Sequence, residues 1–264
     1  MQALRAKGDC FVNIKQENGI SRLSDMRMSG CIKVFFTREP SRVDAILVNS
    51  AGGLTGGDRI TAEIHLEAGA KAAVTTQAAE RAYCSTDNHA DVFSTLKVGS
   101  GASLFWLPQE LILFDGAALS RRLHCDLAED AQLVLVEPVI FGRTMMGEEL
   151  SDIWFSDHIM IDRSGAPLYR DATRLSGGMK DVLARCAVAG GAGAMASLVC
   201  VGPDAEAQYT FALRILDSTA GASLLQPDVL ILRILAQDGF ELRRSLLPIL
   251  DRLTNDTLPA SWRL

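Results

Sequence analysis

Residues 59–76 read RITAEIHLEAGAKAAVTT. Ile60, Ala62, Ile64 and Leu66 alternate with Thr61, Glu63, His65 and Glu67, the period of two that marks a strand with one face buried. A glycine turn with an alanine follows, and then a second apolar run. The same plan returns as KVGSGASLFWLP at 97–108, as DLAEDAQLVLVE at 126–137 and, more loosely, as MIDRSGAPLYRD at 160–171. The shared alanines, Ala70, Ala102, Ala131 and Ala166, stand roughly thirty residues apart, the spacing of strand-turn-strand units stacked in a layered or β-helix-like arrangement. A run of β-hairpins with Gly-Ala and Asp-Ala turns satisfies the pattern equally well.

Beyond residue 177 the texture changes. AMASLVCVG reads as a strand, PDAEAQYTFALRILDS as a helix with Asp204 near its start, and DVLILRILA as a buried strand. From Asp238 to Asn255 a helical stripe carries Phe240, Leu242, Leu246, Leu247, Leu250 and Leu253, with Pro248 set to kink the helix or end its first half. The expectation is a mainly β protein with about two α-helices in its C-terminal part. It would form a single domain over 1–264, with a β-rich body at 1–176 and an α/β tail at 177–264 packed on it.

Of the 264 residues 48% are apolar, enough to bury a sizeable core. The net charge of −6 offers no footprint for nucleic acid and is repelled by an anionic membrane surface. Six cysteines without a Cys-x-x-Cys pair make neither a zinc framework nor a disulfide scaffold, so most of them read as small core residues in a reducing compartment. The start, MQALRAKGDCFVN, lacks the apolar stretch of a secretory signal, and the uncharged tract 186–203 is too weakly apolar around GGAGA for a membrane span. A soluble cytoplasmic protein is expected.

Upstream of the first strand lies VNSAGGLTGGDRI, at 48–60. A phosphate-binding loop would place Lys-Ser/Thr after its glycines and open a helix, whereas Asp58 and a strand follow here. The four histidines share no i, i+4 spacing, and His124 and Cys125 point to opposite faces of a strand. The acidic residues carry more information. Asp58, Glu110, Glu137, Glu148 and Asp171 sit in glycine-rich or apolar surroundings, where an unpaired carboxylate is costly. Arg121 or Arg143 would pair with Glu137 and Glu110 in a purely structural reading, the turn amides would serve Asp58, and Arg143 would pair with Glu148. Two inward acids on a stacked β fold would also suit a carbohydrate-active hydrolase or lyase. Only 6% of the chain is aromatic, which leaves few platforms for a sugar.

VNSAGGLTGGD, TTQAAERAYCS, LFWLPQELILFDGA, FGRTMMGE and DATRL, in this order, closely resemble the urease accessory protein family UreD, also called UreH. The resemblance spans 48–175. It departs at Ser50 and Ala51, where the family usually has prolines, and at Glu80 and Cys84. It implies a mostly β fold with two helices and a non-catalytic role: the protein would bind urease apoprotein, hold UreF and through it receive the GTPase UreG, with UreE an indirect partner. The high apolar fraction and few aromatics fit a protein that buries much of its surface against partners, so self-association or aggregation of the isolated chain is expected. Nickel(II) would pass through an internal wet passage as cargo, with no stably bound cofactor. By position in the motifs the metal-handling residues are Asp58 first, then Glu137, Asp171, Glu148 and Glu110. Nickel prefers nitrogen and sulfur, so a few oxygen ligands suit a relay that must release its ion. Arg81 and Tyr83 are assigned to a partner-binding surface, with core packing the alternative for Tyr83.

Overall fold

The computed structural model describes residues 5–143 and 146–263. Thr144 and Met145 of the FGRTMMGE motif lie outside this range. β1 (Lys7–Glu17) and β2 (Ile20–Gly30) form a hairpin in a first sheet, and β3 (Ile32–Arg38) and β4 (Val43–Asn49) form one in a second. From there the chain winds between the two sheets. β5 (Arg59–Leu66), β8 (Ala90–Val98), β11 (Ala118–Leu127) and β13 (Ile153–Arg163) join β1 in the first. β6 (Lys71–Thr76), β9 (Ser103–Leu107) and β12 (Gln132–Phe141) join β4 in the second. Short strands β7 (Glu80–Ala82) and β10 (Leu111–Leu113) bridge the return. Within each series neighbouring strands are parallel, so the architecture is a stack of coils.

The alanine corners explain the stacking. Ala70, Ala102 and Ala131 are buried where the chain turns from the first sheet to the second. Each closes a tight turn by donating its amide to the residue three before, at 3.1, 3.0 and 3.2 Å. Each corner also bonds to the preceding coil: Glu67 N to Ile14 O at 2.8 Å, Gly99 N to Leu66 O at 2.9 Å and Ala128 N to Val98 O at 2.9 Å. The fourth alanine differs. Ala166 is exposed, and MIDRSGAPLYRD is a hairpin between β13 and β14 (Ala166–Gly177) that stays in the first sheet. Ser164 and Gly165 turn it with φ of 50° and 78°, the pair of positive values that a two-residue hairpin of matching twist requires. Both readings of the pattern therefore occur, three corners and one hairpin.

The glycine doublets at 52–57 form a corner between β4 and β5. A Cβ on Gly53 would overlap the Tyr83 ring, and one on Gly56 would overlap Ser85 and Asn88. The missing side chains let this corner lie against the next one.

After α1 (Met179–Ala184), a helix the sequence pattern did not reveal, β15 (Ala194–Val201) adds antiparallel to β12. α2 (Ala205–Ile215) follows, then β16 (Ala220–Gln226) and β17 (Val229–Ala236) complete a ten-stranded second sheet. α3 (Gly239–Leu253) is capped by Asp238, whose carboxylate accepts from Glu241 N at 2.9 Å. It runs through Pro248, which does not end it, and it buries Leu242, Leu246, Ile249, Leu250 and Leu253. Phe240, expected on that stripe, is 73% exposed. One apolar core lies between the sheets, around Ile64, Leu96, Leu104, Leu123 and Phe155. A second lies on the outer face of the second sheet beneath α2, α3 and the turn Ala260–Arg263, around Leu198, Leu232, Leu246 and Trp262. Among the described residues no helix is long and apolar enough to cross a membrane.

Candidate functional site

Polar side chains interrupt the inner core at one level. On β12 the residues Leu133, Leu135, Val139 and Phe141 face inward, and alternation puts Glu137 among them. Trp106 of β9 donates its indole N–H to Glu137 Oε1 at 2.8 Å. From the opposite sheet Arg121 of β11 reaches Glu137 Oε2 at 2.5 Å. The same guanidinium grips Asp157, its register neighbour on β13, through Nε at 2.9 Å and Nη2 at 2.6 Å. All three charged groups are buried. Burial raises the Glu137 pKa, and Asp157 adds to the rise against the pull of the shared Arg121. Burial works against the Arg121 charge too, yet the two carboxylates hold its pKa above the ordinary guanidinium value.

Beside this triad lies a cavity of about 250 Å³ between the sheets. Glu80, Asn49 and Gln109 line it together with Trp106, Arg121 and Glu137. Glu80 accepts from Asn49 Nδ2 at 3.0 Å and from Arg81 N at 3.1 Å, and burial raises its pKa. Gln109 is buried, and its Nε2 has no partner among the described residues. A space of this size lined by such groups suits several water molecules.

The five carboxylates singled out in the sequence do not converge. Glu137 alone among them lines the cavity. Asp58 is buried at the glycine corner, where it accepts from Thr55 N at 2.8 Å and from Ala6 N at 2.7 Å. Glu110 pairs with Arg243 of α3 at 3.2 Å, Asp171 with Arg233 of β17 at 2.5 Å, and Glu148 with Arg143 at 2.9 and 3.1 Å. Arg81 and Tyr83 are exposed beside the glycine corner, with Tyr83 edge-on to Phe114 at 4.9 Å between ring centroids. Arg81 also borders the cavity. Sequence reasoning missed Glu80, Asn49, Gln109 and Asp157 as lining or clamping groups. Of the two arginines that the sequence offered to Glu137 and Glu110, Arg121 does pair with Glu137, whereas Glu110 takes Arg243.

The family described as UreD urease accessory protein matches residues 6–263. The urease accessory protein UreD of Roseobacter denitrificans is 48% identical over 98% of this chain and 96% of its own length. That of Ruegeria pomeroyi is 46% identical over 92% and 96%. That of Rhizobium leguminosarum bv. viciae is 39% identical over 98% and 96%. Identity at this level along nearly the whole chain extends the five motifs to both ends, and the chain therefore belongs to the UreD family of urease accessory proteins, with a role in urease maturation.

Proposed function

We propose that this protein is a non-catalytic scaffold in the cytoplasm that holds UreF, and through it the GTPase UreG, on urease apoprotein, and that nickel(II) crosses its interior as cargo. The observation that carries the second half is the polar cavity between the sheets. Glu80 and Glu137 line the cavity together with Arg121 and the exposed Arg81, and these two carboxylates are the groups that would attract a visiting divalent ion. The wall's donors are carboxylate and amide oxygens with no thiolate or imidazole, and such ligands hold nickel weakly enough to let it leave. Arg121 restrains the attraction further by occupying an oxygen of Glu137. The same contact disfavours an acid-catalysis reading, since Glu137 is engaged by Arg121 and Trp106 instead of being poised to hand a proton to a sugar.

The scaffold half draws support from exposed apolar side chains. Ile20, Leu23, Met28 and Phe35 lie on β2 and β3, and Leu213, Ile215 and Phe240 lie on α2 and α3. Surfaces of this kind are buried against partners and promote self-association when partners are lacking. The test is co-expression of Glu80→Ala with the urease genes, with pull-down of UreF and apo-urease and metal analysis of the purified urease. Normal complex with several-fold less nickel in urease supports the passage. Normal complex with a full nickel complement refutes it.

A further inference from the structure

A second group of metal-competent side chains stands on the outside of the molecule. His124 and Asp126 of β11 flank Cys125, which is buried in the core, so both project from the outer face of the first sheet. The parallel register of β11 and β13 sets Asp162 directly beside Asp126. His124 Nε2 lies 2.7 Å from Asp162 Oδ2 and 3.5 Å from Asp126 Oδ1. One ligand atom from each of the three residues falls within 4.8 Å of the other two. Three donors bound to one ion at about 2.1 Å stand roughly 3 to 4 Å apart, so small rotations of these side chains complete the set.

The surroundings hold this arrangement in place. The second oxygen of Asp162 is taken by Arg170 Nη2, and Arg170 is itself anchored by donating to Ile161 O at 2.7 Å and Tyr169 O at 2.9 Å. A carboxylate with one oxygen oriented by a fixed donor and the other turned to its neighbours is how ligating carboxylates are commonly supported. The ligands stand on two hydrogen-bonded strands, which fixes their spacing better than a loop would.

We propose that His124, Asp126 and Asp162 form a surface site for a divalent transition-metal ion, separate from the interior cavity. One imidazole nitrogen with two carboxylate oxygens favours nickel, cobalt or zinc over magnesium or calcium, which take oxygen donors. The remaining coordination positions face solvent. The site does not depend on the passage reading.

The test titrates the full chain, fused to a soluble carrier without a histidine tag, with cobalt(II). Bound ion is counted by equilibrium dialysis, and the visible absorption of the cobalt reports nitrogen and oxygen ligation. One ion per chain is expected, with affinity at least tenfold lower in both His124→Ala and Asp126→Asn, and unchanged in Glu80→Gln. Far-UV circular dichroism and a thermal melt identify any variant that fails to fold, and the conservative Asp126→Asn serves as the second reading in that case. Absence of binding at millimolar cobalt, or equal affinity in Asp126→Asn and the unsubstituted chain, overturns the proposal. Loss of binding in Glu80→Gln also overturns it, because the ion would then belong to the cavity.

Discussion

Replacing Arg121 with methionine tests whether the inner charge cluster is a clamp. Methionine fills much of the same volume but leaves Glu137 and Asp157 facing each other without a cation, each stripped of charge-assisted hydrogen bonds at 2.5 to 2.9 Å. Removing one partner of a buried ion pair costs about 3–5 kcal/mol. Two features keep the value inside that range instead of doubling it. Glu137 retains Trp106 and borders the cavity, and burial already raises its pKa, so it takes up a proton readily. The companion variant, Arg121→Met with Glu137→Leu and Asp157→Leu, removes all three charges together. It should recover most of the loss, since apolar replacement of a whole buried cluster is often neutral or stabilising. Urea denaturation followed by circular dichroism gives both numbers. A loss under about 1 kcal/mol in the single variant, or a triple variant as unstable as the single, refutes the clamp. If the triple variant folds well, its urease should still be poor in nickel, because the cluster would have served passage at some expense of stability.

Two further outcomes follow from the same geometry. The folded-state pKa of Glu80 is raised by burial above the ordinary 4.5, so its contribution to stability is complete below that pH and is lost as pH rises through the folded value. Glu80→Gln removes this dependence, and its urea midpoint should gain on the unsubstituted chain between pH 4.5 and neutrality; a difference that does not change with pH contradicts the assignment. At the glycine corner both oxygens of Asp58 accept backbone amides, so Asp58→Asn turns an NH2 group toward one N–H and should cost about 1–3 kcal/mol in the same assay, close to Asp58→Ala. An Asp58→Asn protein of unchanged stability would show that the carboxylate does not hold the corner.

The coil architecture was legible where it repeats. Ala70, Ala102 and Ala131 mark corners because only a small side chain fits where the chain passes between sheets, and each coil takes about thirty residues, a periodicity visible in sequence. Ala166 follows the same local pattern, yet it turns a hairpin, since a turn's sequence does not say which sheet receives the next strand. The carboxylates were legible as requiring partners, but most partners were not. Arg243 lies 133 residues beyond Glu110 and reaches it only because α3 folds back over the second sheet. Glu80 stood out only as a departure from the family pattern, because its environment is set by Asn49 on β4 and by the facing sheet. His124 and Asp126 share a face by alternation alone, while Asp162 joins them through a register that no local spacing encodes.

The parallel register also accounts for the cavity's place. Residues at one level of successive coils form rows along the stack, and on the first sheet Ile60, Val92, Arg121 and Asp157 make one such row, with Ala62 and Ser94 in the next. Further along the same strands the inward residues are Ile64, Leu96, Cys125 and Ile161, and there the sheets close on each other without polar groups. Ala62 and Ser94 are too short to reach across, and the space they leave is the cavity that Glu80, Gln109 and Glu137 line from the other side. α2 and α3 cover the outer face of the second sheet over β15, β16 and β17, whereas the outer face of the first keeps its charged residues in water. On the proposed passage, an ion would enter at the corners or ends of the stack. The glycine corner puts Gly52 and Leu54 on the cavity wall, with Tyr83 exposed beside them.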